Sequence, residues 1–262
     1  MRLFNAEALL LDVRDLHERD RIVTFLTREQ GKKKGVARGA RGRFSRFAGQ
    51  LQPLAKVQVS WFEKEGRDLM RVTAVELVRP AHRLQADLEG ILLGSYLADH
   101  VLEFAQENES SDLLFRLLDS TLEALLAGVD RDLAARYFEA WVLRLAGIFP
   151  APHACPLCGA PLAGGAVLPR GGETLLCFRC GAAGGGGELA VGAETIAFLC
   201  LIGRLSLPKV AVAPTPPPSQ AAPAAQAPPL RQVEELCARV RRHFLQRELR
   251  SYEVIQKTRA AL

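Results

Sequence analysis

Short alternating or β-branched apolar runs fill the first 80 positions of the chain, and from Leu84 a period near 3.6 replaces them. Ala8–Val13, Arg21–Thr27, Lys33–Arg38, Leu54–Phe62 and Leu69–Val78 read as five strands, with Gly31 supplying a tight turn between the second and third. Five strands with no strong helix among them predict a small closed barrel. The OB-fold is the nucleic-acid-binding form of such a barrel, an SH3-like barrel has a similar strand count, and periodicity leaves both open.

Leu84, Leu88, Ile91, Leu92, Tyr96, Val101, Leu102 and Phe104 recur at threes and fours, and Leu113–Leu126 and Leu133–Leu145 repeat the pattern. Asp112 and Asp130 are candidate N-caps and Gly128 a stop, which predicts three helices in a bundle. Further helical runs at 193–205 and 230–249 are expected to pack on that bundle across an insertion. Residues 208–229 carry eight of the fifteen prolines with alanine between them, a composition for extended or disordered chain. The expected organisation is thus an α+β multidomain chain. It has a barrel at 1–80, a helical domain at 81–150 and 191–262 containing the 208–229 linker, and a cysteine module at 151–190.

Charge sharpens this division. The 262 residues carry a net +5, but residues 1–80 hold 17 basic and 10 acidic residues while 81–150 hold 5 and 12. A basic front beside an acidic middle points to a polyanion partner at one end. No apolar stretch is free of both charge and helix breakers for long enough to span a membrane, and Glu7 and Asp12 interrupt the start where a signal peptide needs an apolar core. Cysteines are too sparse for a disulfide scaffold. These features predict a cytoplasmic protein with no membrane partner.

Four of the six cysteines form Cys155-x-x-Cys158 and Cys177-x-x-Cys180, eighteen residues apart. Two thiolate pairs at that spacing can complete a tetrahedral S₄ shell, so one structural Zn²⁺ per chain is expected. Gly159 and Gly181 follow the two pairs and would let the backbone turn around the metal. A closed four-thiolate shell has no open position for water, and no histidine has Glu two residues on, so a zinc deaminase is excluded. His153 reads as a loop residue, and Cys200 and Cys237 as small buried apolar residues.

The second constellation is Arg28, Lys32, Lys33, Lys34, Arg38, Arg41, Arg43 and Arg46, opposed in that stretch only by Glu29 and interleaved with Phe44 and Phe47. Cations that follow phosphates and rings that stack on bases are what single-strand binding surfaces use. The competing reading is a solvated loop with both phenylalanines in the barrel core. A second, weaker basic patch comprises Arg239, Arg241 and Arg242, extended by Arg247 and Arg250, with Glu234, Glu235 and Glu248 among them. There is no G-x-x-x-x-G-K-[ST] phosphate loop, and Gly185-x-Gly187-x-x-Ala190 lacks the preceding strand of a dinucleotide site.

Phe25-Leu26-Thr27-Arg28-Glu29-Gln30-Gly31, Val36-Ala37-Arg38-Gly39-Ala40-Arg41, Leu51-Gln52-Pro53-Leu54, the paired cysteines and His243-Phe244-Leu245-Gln246-Arg247-Glu248-Leu249-Arg250-Ser251 follow in order along most of the chain. In these segments the chain resembles the RecO family of bacterial recombination mediator proteins. The resemblance implies an N-terminal OB-fold, a helical domain with an inserted zinc module, and a non-enzymatic, nucleoid-associated activity. That activity is binding single- and double-stranded DNA, annealing complementary strands and, with RecR, loading RecA onto DNA coated by single-strand binding protein. The Pro/Ala-rich segment departs from the family pattern. The alternative from another class is a zinc-ribbon assembly factor whose basic end binds RNA or an acidic protein.

Overall fold

The computed structural model describes residues 2–63, 66, 69–182, 187–212 and 229–261. In chain order they form β1 (Arg2–Leu16), β2 (Asp20–Thr27), β3 (Gly31–Ala37), β4 (Lys56–Glu63), β5 (Met70–Arg79), α1 (Leu88–Phe104), α2 (Asp112–Leu126) and α3 (Arg131–Leu145). Then follow β6 (Ala166–Leu168), α4 (Phe178–Gly181), β7 (Leu189–Val191), α5 (Ala193–Ile202), α6 (Leu207–Val212), α7 (Pro229–Leu245) and α8 (Arg250–Ala261). They group into two compact units, Met1–Ala127 with Leu249–Leu262, and Gly128–Glu248.

In the first unit the strand order β1-β2-β3-β5-β4 closes on itself as a barrel. β1 makes closure possible by pairing twice, through Arg2–Leu9 with β4 and through Ala8–Leu16 with β2. It therefore starts six residues before the apolar run that signals it. A short parallel pairing of Gly35–Ala37 with Met70–Val72 joins β3 to β5. Strand periodicity sends Ala8 and Leu10 into the barrel core with Val23, Phe25, Val57, Val59 and Trp61. Leu9 and Leu11, of opposite parity, are equally buried but lie outside that core cluster, which is why the run Ala8–Leu11 is apolar without alternation. The irregularity between Leu10 and Asp12 shifts the phase and brings Val13 back against the core.

The outward apolar side of β1 and β2 determines where the first helices go. α1 packs on β1 and α2 on β2, with α8 against α1. The single bundle expected over Leu84–Leu145 is therefore not what forms: α1 and α2 group with the barrel, and α3 groups with α6 and α7 in the other unit. Ion pairs fasten α2, with Asp119 accepting from Lys56 Nζ at 3.0 Å and Arg79 Nη2 at 2.7 Å. Gly31 has φ +60, and a Cβ there would lie 2.1 Å from the Glu109 carbonyl oxygen, so the turn and the close passage of the 106–109 loop both require glycine.

Capping follows the expectation at one helix and departs from it at another. Asp130 caps α3 by accepting from the Leu133 amide at 2.8 Å. At α2 the cap is Ser111, without a side-chain cap bond, and Asp112 is the first helical residue. Gly128, at φ +91, follows the end of α2.

In the second unit α3 is tied to α7 by Arg136, whose guanidinium lies 2.7 Å from Glu139 and 2.8 Å from Glu234. The Trp141 indole donates to the Ile202 carbonyl at the end of α5. The 208–229 segment opens as the last residues of α6 and closes at the first of α7; 213–228 lie outside the described residues, as does Gly185 of the dinucleotide-like match. Among the described residues no helix is long and apolar enough to cross a membrane.

Candidate nucleic-acid interface and metal centre

The cations of residues 28–46 divide into two groups, those engaged within the fold and those left exposed. Lys33 is 6% exposed, and its Nζ donates at 2.7 Å to both Glu63 Oε1 and Asn108 Oδ1. Lys32 Nζ donates to the Leu102 carbonyl at 2.7 Å, on α1. Arg28 is exposed but lies between Glu7 and Asp112, at 3.8 and 3.7 Å, with its guanidinium over the Phe115 ring. These three side chains hold α1, α2 and the loop between them to the barrel.

Lys34, Arg38, Arg41, Arg43 and Arg46 are exposed. Lys34, Val36 and Arg38 alternate on the outer side of β3 and its end. The turns after β3 are built by backbone bonds: Gly42 N to Gly39 O, Ser45 N to Gly42 O and Ala48 N to Ser45 O. Gly39, at φ +69, donates its amide to Asp20, and Arg41 donates from its amide to Arg19 O and from Nη1 to His17 O, which anchors the loop beside the β1–β2 turn. Asp15 lies 3.4 Å from Arg41 and discounts its charge.

The two phenylalanines separate completely. Phe44 is 94% exposed with the Arg43 guanidinium 5.8 Å from its ring centre, while Phe47 is 1% exposed and belongs to the barrel core, covered by Arg46. As a base-stacking candidate Phe47 is therefore withdrawn. Sequence reasoning missed Arg71, exposed on β5 and aligned with Val36 between Lys34 and Arg38. No local pattern announces it, because the parallel pairing of β3 with β5 spans more than thirty residues.

In the second unit the sulfurs of Cys155, Cys158, Cys177 and Cys180 all lie within 4.8 Å of one another, and Cys158 Sγ is 3.6 Å from Cys177 Sγ. Sulfurs ~2.3 Å from one tetrahedral metal sit roughly 3.8 Å apart, so the donor set fits a metal ion. The first pair sits on a turn in which Gly159 N donates to Cys155 O and Cys155 N to Ala160 O. Gly159, at φ +71, has the left-handed backbone expected of it. Gly181 does not; it lies in α4, and a Cβ there would meet Val167 Cβ at 2.9 Å, so its role is close packing against β6.

A backbone hydrogen bond from Cys177, joined by those of Leu157 and Cys158, holds the Cys155 thiol down to about 6. Hydrogen bonding with Cys158 and Cys177 instead pushes Cys180 up to about 12. The last proton of such a quartet is retained because thiolates repel, a repulsion that a bound dication cancels. Arg179 adds a cation hydrogen-bonded to Cys158. His153 is not part of this group; its Nδ1 is 3.5 Å from Cys200 Sγ. Cys237 is fully buried as expected, and burial raises its thiol, whereas Cys200 is only half-buried.

The second basic patch is largely consumed by the fold. Arg241 is fully buried and pairs with Glu248 at 2.6 Å, Arg242 shares that carboxylate at 3.0 Å, and Arg239 bonds Gly187 O and Glu235. Arg247 and Arg250 are exposed.

Two family models match the chain: Recombination protein O N terminal over residues 1–81 and Recombination protein O C terminal over residues 85–222. The chain belongs to the RecO family. Among curated relatives, a DNA repair protein RecO of Anaeromyxobacter sp. (strain K) is 39% identical over 206 residues, covering 78% of this chain and 81% of the relative. One from Geobacter sulfurreducens is 36% identical over 76% and 80% of the two chains, and one from Pelotomaculum thermopropionicum 37% identical over 69% of each. The family boundary between residues 81 and 85 falls where β-periodicity gives way to helical periodicity.

Proposed function

We propose that this chain is a non-enzymatic mediator of DNA repair and homologous recombination in the cytoplasm. It binds single- and double-stranded DNA, anneals complementary strands and, with RecR, helps load RecA onto DNA coated by single-strand binding protein. In this reading the barrel of residues 1–80 is an OB-fold. Lys34, Arg38, Arg41, Arg43 and Arg46 meet phosphates, and Phe44 stacks on a base. Arg28, Lys32 and Lys33 act one step back, fixing the barrel against α1 and α2. One Zn²⁺ on Cys155, Cys158, Cys177 and Cys180 supplies the cross-link that a small, core-poor module needs.

The observation that carries the reading is the exposed ring of Phe44 among exposed cations on a loop fastened to a closed barrel, in a chain of this family. Complementary strands repel through their phosphates. A surface that neutralises backbones and leaves base edges free lowers the barrier to their meeting without any nucleotide hydrolysis. The test is annealing of complementary strands, bare and coated by single-strand binding protein, in the absence of ATP. Acceleration that is lost on reversing Arg38 and Arg43 to Glu is the expected result. DNA binding without any annealing would favour an assembly factor for which nucleic acid is incidental.

A further inference from the structure

A cleft of about 370 Å³ opens in the Gly128–Glu248 unit, lined by Trp141, Arg144, Phe149, His153, Cys200 and Arg204 among others and by none of the four clustered cysteines. Its lining includes two arginines and a histidine and no carboxylate, so the field within it favours an anion. Arg144 is held in place: Nη2 donates to the Leu199 carbonyl at 2.7 Å, and the guanidinium lies 5.4 and 5.1 Å from the ring centres of Trp141 and Phe149. Its other terminal nitrogen, Nη1, is buried and has no acceptor among the described residues. Gly203 on the cleft wall packs against that nitrogen; a Cβ there would lie 3.3 Å from it. Trp141 is itself fixed by its indole bond to Ile202 O at 2.9 Å. Arg204 stands exposed at the rim. Two cations, one of them held in place, beside the fixed Trp141 ring and the Phe149 ring form a site for a flat, anionic ligand.

We propose that this cleft takes a single unpaired nucleotide of a DNA strand, with its phosphate between Arg144 and Arg204 and its base against the rings of Trp141 and Phe149. The volume lies at the lower end of small-ligand clefts, which suits one nucleotide. The inference rests on the DNA-binding reading and adds to the barrel surface a second contact in the other unit. It gives an annealing protein a place to keep one base out of the stack while the neighbouring bases search for partners.

The experiment uses the two tryptophans of the full chain. Trp61 is fully buried in the barrel, whereas Trp141 is half-buried in the cleft wall. Thymidine monophosphate should quench tryptophan fluorescence saturably, thymidine without phosphate should not, and Trp141→Phe should abolish the signal. Arg204→Ala, a change at an exposed side chain, should weaken the nucleotide at least five-fold, and bound nucleotide should protect Cys200 from iodoacetamide in peptide mapping. Oligonucleotide affinity is measured on the same samples. Absence of saturable quenching while oligonucleotides still bind overturns the cleft and leaves the barrel reading standing; absence of both overturns both. Saturation by an acidic peptide but not by the nucleotide overturns the ligand assigned here.

Discussion

Phe44 and Phe47 are three residues apart, and alanine at each should damage different properties. Phe47 is in the barrel core at 1% exposure, so Phe47→Ala removes a full ring from among Val23, Phe25, Trp61 and their neighbours. The usual cost of such a truncation is about 3–5 kcal/mol. At about 2–4 °C per kcal/mol for a domain of this size, the melting temperature should fall by roughly 6–20 °C. Phe44, 94% exposed, contributes almost no burial, and Phe44→Ala should leave stability within about 0.5 kcal/mol of the parent. Its effect should fall on binding: losing one stacked base at ~1–3 kcal/mol weakens single-strand affinity roughly 5- to 150-fold. The salt dependence should not change, because no phosphate contact is lost. The assays are denaturant melts and fluorescence anisotropy with a labelled oligothymidine at several salt concentrations, run on both variants. If Phe44→Ala binds as tightly as the parent, stacking has no part in recognition. If Phe47→Ala melts normally but fails to bind, the assignment of the two rings is inverted.

With Lys32, Lys33 and Arg28 engaged internally, three to four of the exposed cations reaching phosphates should give a log–log salt slope of about −2 to −3 for single strands, from ~0.7 per contact. Arg38→Glu with Arg43→Glu should flatten that slope, whereas Lys33→Met should lower stability and leave it unchanged, as anisotropy and melts on the same samples would show. Elemental analysis should find one zinc per chain, and replacing Cys155 and Cys158 by serine should abolish it and lower the melting temperature; metal-free protein with an unchanged melt would remove the structural role. Burial alone would raise the Glu63 carboxyl, but hydrogen bonds from Lys33 and Trp61 outweigh it and hold the group below its ordinary value. The stability it contributes is therefore complete above the ordinary carboxylate range near ~4.3 and is lost as pH falls through the lowered value. Glu63→Gln should remove that part of the acid-induced loss, read from melts between pH 5 and 2.5 in steps of about half a unit; an identical acid profile would count against the pair.

The strands were legible because most carry short apolar or β-branched runs bounded by turn residues, and the cysteine quartet because metal chemistry imposes its own spacing. Three things were not, and each depends on a partner distant in sequence. The first half of β1 reads as polar, because Asn5 and Glu7 point outward and Arg2 lies over the Phe4 ring while Phe4 and Ala6 meet the core, and its pairing partner β4 lies more than fifty residues away. The assignment of α1 and α2 to the barrel depends on Leu9, Leu11 and Leu26 being buried on the far side of strands whose inner side is already apolar. A helix's own pattern shows that it has a face to bury and does not show against what. Ser111 rather than Asp112 stands at the cap position, its amide committed to Arg28 O at 2.9 Å and its hydroxyl to Glu109 O, so no side chain caps the helix there.

The basic run shows why counting charges overstates a binding surface. Lys32 and Lys33 are adjacent on β3, so they project to opposite sides of the strand, and at this point on the barrel both sides are covered: one meets α1 and the other reaches Glu63 and Asn108. Where the chain leaves the sheet after Ala37 successive cations escape this alternation, and there Arg38, Arg43 and Arg46 face water while Arg41, also exposed, is tied to His17 O and Asp15. The acidic Asp15 and Asp20 at the foot of the same loop hold its geometry and trim its field. On the proposed reading that restraint is useful. An annealing protein must release the duplex it makes, and each further phosphate contact multiplies affinity for product and substrate strands alike. A surface of few, well-placed cations with one exposed ring can distinguish the two, because a stacked base is available on a single strand and is withdrawn once that base is paired.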